Sequence, residues 1–380
     1  MKRRSGRASP IATVFRYVLA TVAGGVVVWY VMAWRAGSTD GSRPDPLRAA
    51  ASEFAWGELP EPEFPIPPYA RFLGGVRIVI DAGHGGHADR KNWKRGPTGL
   101  REAEVNLRVA HFLRDFLEDA GAEVVMTRAA DVYLDPDDKT DLRMRPAIAN
   151  EIGADLFLSL HHNGVDGAPR ANYTTLFFHA TPDESPASLC VARHLLTGLN
   201  DALRLEQHLG CALVSDYALF PKQGFAVLRE AAVPAVLCES SFHSNPDEER
   251  RLRDPLYNRR EAYGLFIGLA RWAQAGLPRV WLAKPTSQPA RGARELIVRL
   301  DDGLRDRGGF GGKLPRAIER SLVVELDGRQ ATYTADFSRG ELRVRTTTGS
   351  GRRGKWLYVD FENMFGQHVL HPWIEVPPSR

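Results

Sequence analysis

The 380-residue chain predicts an α/β fold, with a mainly parallel sheet flanked by helices, followed by a small all-β domain. VRIVID (76–81), DLFLSLH (155–161) and AVLCES (235–240) read as buried strands, and helical periodicity fills the intervals between them. Alternation of this kind implies a sheet with helices on both faces. From about residue 293 the pattern changes to short alternating strands separated by turns, which fits an antiparallel sandwich of immunoglobulin-like type.

In chain order, residues 1–36 read as a basic N-terminus and a membrane anchor. Lys2, Arg3, Arg4, Arg7 and Arg16 precede the uncharged run YVLATVAGGVVVWYVMAW (17–34). Its 18 residues are near the lower limit for crossing a hydrocarbon core of about 30 Å. Trp29, Tyr30 and Trp34 gather toward one end, where aromatic rings favour the interface. The positive-inside rule keeps 1–16 in the cytoplasm and sends the remainder across the inner membrane, into the periplasmic or cell-wall space. A cleaved signal peptide is the alternative, with Ala36-Gly37-Ser38 as its best small-x-small site. Both readings export the rest. Residues 37–73, including ELPEPEFPIPPY, suit a proline-rich spacer.

Hydrophobic residues at 43% and charged residues at 25% are ordinary globular values. They exclude a wholly disordered chain, a collagen-like fibre and a polytopic membrane protein. The formal net charge of +4 is concentrated in the N-terminus, so it does not describe a nucleic-acid-binding surface.

The middle domain spans 74–276. NLRVAHFLRDFLEDA (106–120) places Leu107, Ala110, Leu113, Phe116 and Leu117 on one helical face, and Gly121 stops it. EVVMTR (123–128) is a strand, 141–153 a helix ending at Gly153, and YTTLFFHA (173–180) a strand. Helices over 186–203 and 257–273 complete the alternation. A Pro/Gly-containing linker (277–292) leads to the β domain (293–380). Its strands are ELIVRLD, SLVVELDG, ATYTADF, ELRVRT and KWLYVDFEN, with turns at Asp327-Gly328 and Arg339-Gly340.

Ligands in parallel sheets sit beyond the C-terminal strand ends. One strand ends in Asp81-Ala82-Gly83-His84-Gly85-Gly86, another in His161-His162-Asn163, and a third in Glu239-Ser240-Ser241. Glu102 and Glu104 open a helix between the first two. Two imidazoles and a carboxylate, with one position left open, make the ligand set of a catalytic zinc. A further carboxylate that is not a ligand can move the proton of the attacking water. Taken singly, each has a plainer role: a wet-loop histidine, a helix-dipole partner, a buried salt bridge. Their joint placement at one sheet edge favours the chemistry.

IVIDAGHGG (78–86), REAEVNL (101–107), TR (127–128), RPAIAN (145–150), DLFLSLHHN (155–163), GFAVLREAAVPAVLCES (224–240) and FHSNPDEE (242–249) follow one another in order. Together they resemble the zinc-dependent N-acetylmuramoyl-L-alanine amidases of the Amidase_3 type, over about 76–273. The resemblance implies that His84, Glu102 and His161 bind Zn2+ and that Glu239 is the catalytic carboxylate. Glu102 is preferred to Glu104 because the family's ligand opens its E-x-x-V segment, and His161 to His162 because the ligand follows the Ser-hydrophobic pair. It further implies peptidoglycan as substrate, cut between N-acetylmuramic acid and L-alanine in cell-wall remodelling or cell separation, and a protein activator as a candidate partner. Asp81 is a candidate for orienting His84, with a strand-end cap as the alternative. HADRKNWKRGPTGLR (87–101), longer than the family's usual loop, reads as a solvated basic loop or as a contact for anionic glycopeptide.

In an oxidising compartment Cys190 and Cys211 can pair, leaving Cys238 a buried thiol. Two other functional readings are a non-catalytic peptidoglycan-binding envelope protein with a closed structural zinc, and a zinc peptidase cutting within the stem peptide.

Overall fold

In the computed structural model the described residues are 63–87, 89, 93–283, 293–304, 317–347 and 355–376. The expected anchor lies outside them. Among the described residues no helix is long and apolar enough to cross a membrane.

The first domain contains β1 (Arg77–Ala82), α1 (Glu102–Asp119), β2 (Glu123–Met126), α2 (Asp138–Ile152), β3 (Leu156–Asn163) and β4 (Thr175–Phe178). It continues with α3 (Pro186–Leu203), β5 (Leu213–Ser215), α4 (Ala226–Arg229), β6 (Ala235–Phe242), α5 (Pro246–Leu252) and α6 (Pro255–Gln274). The sheet order is β2-β1-β3-β6-β4-β5. Neighbours from β2 to β6 are parallel; β4 joins β6 antiparallel and carries β5 parallel to itself. The sheet is therefore mainly parallel with one reversed junction.

β1 and β3 are buried almost throughout, which is why both read as unbroken apolar runs. Ile78, Ile80, Leu158 and Val236 pack with the core residues of α1, α3 and α6. Val79, Phe157 and Leu237 cluster with Ala149 of α2 and with Val227 and Leu228 of α4. α3 and α6 meet through glycines: a Cβ on Gly198 would lie 2.1 Å from the Gly264 carbonyl oxygen, so only glycine allows this approach. The expected spacer ends before residue 73, because Ala70 and Leu73 are fully buried in this core and Phe64 packs tilted against Phe116 and edge-on against Tyr263.

The second domain contains β7 (Arg279–Leu282), β8 (Ala293–Asp301), β9 (Val323–Leu326), β10 (Arg329–Gln330), β11 (Thr332–Asp336), β12 (Glu341–Thr347), β13 (Lys355–Asp360) and β14 (Trp373–Val376). Two four-stranded sheets, β10-β9-β13-β14 and β11-β12-β8-β7, are antiparallel throughout. Val298, Leu342 and Val344 of one sheet meet Val324, Leu357 and Val359 of the other. Asp327 and Gly328, at φ 51° and 71°, form the two-residue hairpin expected there. The stretch expected as linker begins with β7, an integral strand of this domain.

The two domains are joined by side chains. Asn363 Nδ2 donates to the carbonyls of Ala275 and Asp302 at 2.9 and 3.0 Å, and Leu370 enters the main core of the first domain. The Cys190–Cys211 pairing that an oxidising compartment would allow is not formed: all three cysteines are free. Buried Cys190 donates from Sγ to the Gly366 carbonyl, whereas exposed Cys211 turns to that of Leu213.

Candidate metal centre and active site

The site is assembled at the C-terminal ends of β1, β3 and β6 and at the start of α1. His84 follows β1 in a left-handed turn, with φ 60° at His84, 135° at Gly85 and 56° at Gly86. Glu102 is the first residue of α1, where the helix dipole favours a carboxylate. Its register comes from α5, whose buried Glu249 accepts the backbone N–H groups of Thr98 and Leu100. His161 and Glu239 are register partners across β3 and β6.

Glu102 Oε1 lies 3.0 Å from His84 Nε2 and 3.0 Å from His161 Nδ1. The two rings stand edge to face with centroids 4.7 Å apart. One donor atom from each of His84, Glu102 and His161 falls within 4.8 Å of the others. Burial alone would raise the Glu102 pKa, but the adjacent imidazoles outweigh it and hold the carboxyl well below its usual range. Gly83 lets His161 approach: a Cβ there would sit 2.3 Å from the ring.

Glu239 shares the cleft with these three, and its Oε2 is buried with no hydrogen-bond partner among the described residues. Burial pushes its pKa up to about 7, against the pull of His161 and with the help of Glu102. An orphaned carboxylate oxygen beside two imidazoles and a carboxylate is a donor set that fits a divalent cation.

Asp81 acts on His84 one step removed. Its carboxylate accepts from Thr127 Oγ1 (2.7 Å), Ser159 Oγ (2.7 Å) and Arg145 Nη1 (2.8 Å), and it is Arg145 that donates to the His84 carbonyl, at 2.8 Å. Arg128 donates to the carbonyls of Ala82, Gly83 and Ala103, tying the β1 loop to α1. These contacts account for the TR and RPAIAN segments. The roles of Arg128, just past β2, and of Arg145, on the buried face of α2, were not assigned from sequence.

His162 and His243 take different places. The buried His162 ring is held between Asn106 Oδ1 (2.8 Å) and Glu261 Oε2 (3.0 Å). His243 is buried, which pushes its pKa down to about 4, and its Nε2 lies 3.6 Å from Glu102 Oε2. The cleft has a volume of about 310 Å³, with Trp93, Lys94 and Tyr133 on one wall and Phe225 on another. The described end of the 87–101 loop is thus part of the cleft wall rather than merely solvated. His87 stacks on Tyr133 there, with centroids 5.2 Å apart.

The family described as N-acetylmuramoyl-L-alanine amidase (Amidase_3) matches residues 78–271, just over half of the chain and all of the segments that build this site. The chain belongs to that family. The amidase domain is similar to the germination-specific N-acetylmuramoyl-L-alanine amidase of Bacillus subtilis, 26% identical over 215 residues, covering 54% of this chain and 83% of that protein. It is similar to the probable cell wall amidase LytH of Staphylococcus epidermidis, 30% identical over 200 residues, covering 53% of this chain and 59% of that protein. N-acetylmuramoyl-L-alanine amidase AmiA of Escherichia coli is 27% identical, over 53% of this chain and 78% of that protein. Among solved structures, the catalytic domain of CwlV from Bacillus (Paenibacillus) polymyxa var. colistinus is 27% identical, covers 52% of this chain and 97% of that chain, and has a TM-score of 0.43. The family match ends at residue 271, before the first strand of the β domain.

Proposed function

We propose that the chain is a zinc-dependent amidase that hydrolyses the bond between N-acetylmuramic acid and L-alanine in peptidoglycan. The observation that carries this reading is the partnerless Glu239 carboxylate, set in one cleft with a three-donor cluster. His84, Glu102 and His161 would hold the zinc, which when bound supplies a Lewis acid for the scissile carbonyl and for water. Glu239 takes the proton of the attacking water and delivers it to the departing L-alanine nitrogen. A pKa near 7 suits a group that must both accept and return a proton at neutral pH. The low-lying Glu102 carboxyl stays ionised, as a ligand must.

The chain is placed by this reading outside the cytoplasm, held to the inner membrane through 17–34, where the uncharged run follows a basic cluster. Trimming of the wall during remodelling or cell separation is the process it fits, and a protein activator is a candidate partner. Three protein donors rather than four, among the described residues, favour an open catalytic centre over a closed structural one.

The test is incubation of the fragment from residue 44 onward with purified sacculi, with and without a zinc chelator, and identification of the released products by mass. Chelator-sensitive release of whole stem peptides bearing a free L-alanine amine is the expected result. Fragments cut within the stem would replace the amidase with a peptidase. Absence of release together with absence of bound zinc would remove the enzyme reading.

A further inference from the structure

We infer that Glu261, on α6 and outside the cleft, is a positioning residue for Glu102, acting through His162 and Asn106. The inference rests on the proposed zinc site and adds residues to its support.

The geometry is a continuous polar chain through an otherwise apolar interior. Glu261 Oε2 lies 3.0 Å from His162 Nε2, and His162 Nδ1 lies 2.8 Å from Asn106 Oδ1. Asn106 Nδ2 donates to the Gly83 carbonyl at 3.2 Å and reaches Glu102 Oε1 at 3.4 Å. The His162 backbone N–H adds a second donor to the same oxygen at 3.2 Å. Glu261, His162, Asn106 and Glu102 are all buried, at 0%, 1%, 0% and 2% exposure. A buried carboxylate and imidazole are costly unless they pair, and here they pair with each other.

The donor directions explain the coupling. Both acceptors of the Asn106 amide nitrogen are oxygens, so its Oδ1 is the atom turned to His162 and must receive a proton from Nδ1. Glu261 holds the other ring nitrogen, so the imidazole is fixed at both ends. With the Glu261 carboxyl gone the ring can swing out of line with Asn106, whose amide then has nothing on its oxygen side to hold it. An Asn106 amide that turned over would set Oδ1 against Glu102 Oε1 and the Gly83 carbonyl, replacing two donations by two oxygen–oxygen contacts. The Glu102 oxygen shared by His84 and His161 would lose its fixed position.

The experiment measures zinc affinity of the full chain by competition with a chromophoric chelator, for wild type, Glu261→Leu, and the double variant His162→Leu/Glu261→Leu. The double variant removes both buried polar groups together, so it leaves neither without its partner and guards against a misfolded single variant. Zinc affinity is expected to fall roughly tenfold or more in both variants, the usual cost of losing a partner behind a ligand. Turnover should fall in kcat with KM unchanged. Folded variants that hold zinc within about twofold of wild type, on the same scale, overturn the positioning role and leave the zinc site standing. A wild-type chain that binds no zinc overturns both.

Discussion

His161 and Glu239 face each other as register partners on adjacent parallel strands, so the spacing of the proposed metal ligand and the proposed proton carrier is set by a backbone ladder rather than by loops. Glu239→Gln preserves shape and the ladder but removes the proton acceptor. Sacculus hydrolysis is expected to drop by about 10²–10⁴-fold, with zinc content, read by atomic absorption, unchanged. Substantial residual turnover would take Glu239 out of the mechanism.

Gly83 leaves the room in which the His161 ring reaches its place. In Gly83→Ala the new methyl would overlap the ring at 2.3 Å, so either the β1 loop or the imidazole must move. A fall in zinc affinity with retained far-ultraviolet circular dichroism is expected. Wild-type affinity in the alanine variant would show that the loop yields without cost to the site.

Arg145 is 3% exposed and spans Asp81, Asp141 and the carbonyls of Ala82 and His84. Arg145→Met strands a buried Asp81 carboxylate, at a cost of about 3–5 kcal/mol. Urea unfolding with and without zinc measures this, and zinc should recover only part of the loss because the His84 turn has lost its anchor. A loss under about 1 kcal/mol would place Arg145 among surface-like charges.

Asp155 ties the domains together. Its carboxylate accepts the Arg77 N–H at 3.0 Å and lies 2.8 Å from Arg279 Nη2 and 3.7 Å from His371 Nε2. Burial acts to raise its pKa, but His371, Arg279 and the Arg77 N–H outweigh that and hold the carboxyl below its ordinary value. A carboxyl depressed by folding stabilises the protein above the unfolded value of about 3.9 and ceases to do so as pH falls through the lower folded value. The unfolding free energy of Asp155→Asn should trail wild type by about 1–3 kcal/mol near neutral pH. The gap should close as the pH is lowered beneath about 3.9. A gap unchanged across that range would argue against the ionised contact.

The main sheet was legible because β1, β3 and β6 are covered on both faces and so appear as apolar runs bounded by polar turns. β7 was not, since Arg279–Leu282 is a four-residue strand beside Pro278, and its pairing with β8 is decided by residues far along the chain. β14 is equally short, and only Ile374 and Val376 join the sandwich core. Within the site, the choice of Glu102 over Glu104 and of His161 over His162 came from family motifs, because strand alternation and helix phase put such neighbours on different faces without saying which face meets the site. The His162–Glu261 pair joins residues 99 positions apart and leaves no local trace beyond an acid on the apolar side of a helix.

Leu370 belongs by sequence to the β domain and by packing to the core of the amidase domain. Cutting the chain after α6 would therefore open a greasy socket in the catalytic half, inviting aggregation or sluggish folding. A truncated enzyme that loses activity would be reporting a wound in its own interior, and not the loss of a targeting device. Point changes on the outer surface of the sandwich, which leave that plug in its socket, are the fair probe of what the second domain contributes.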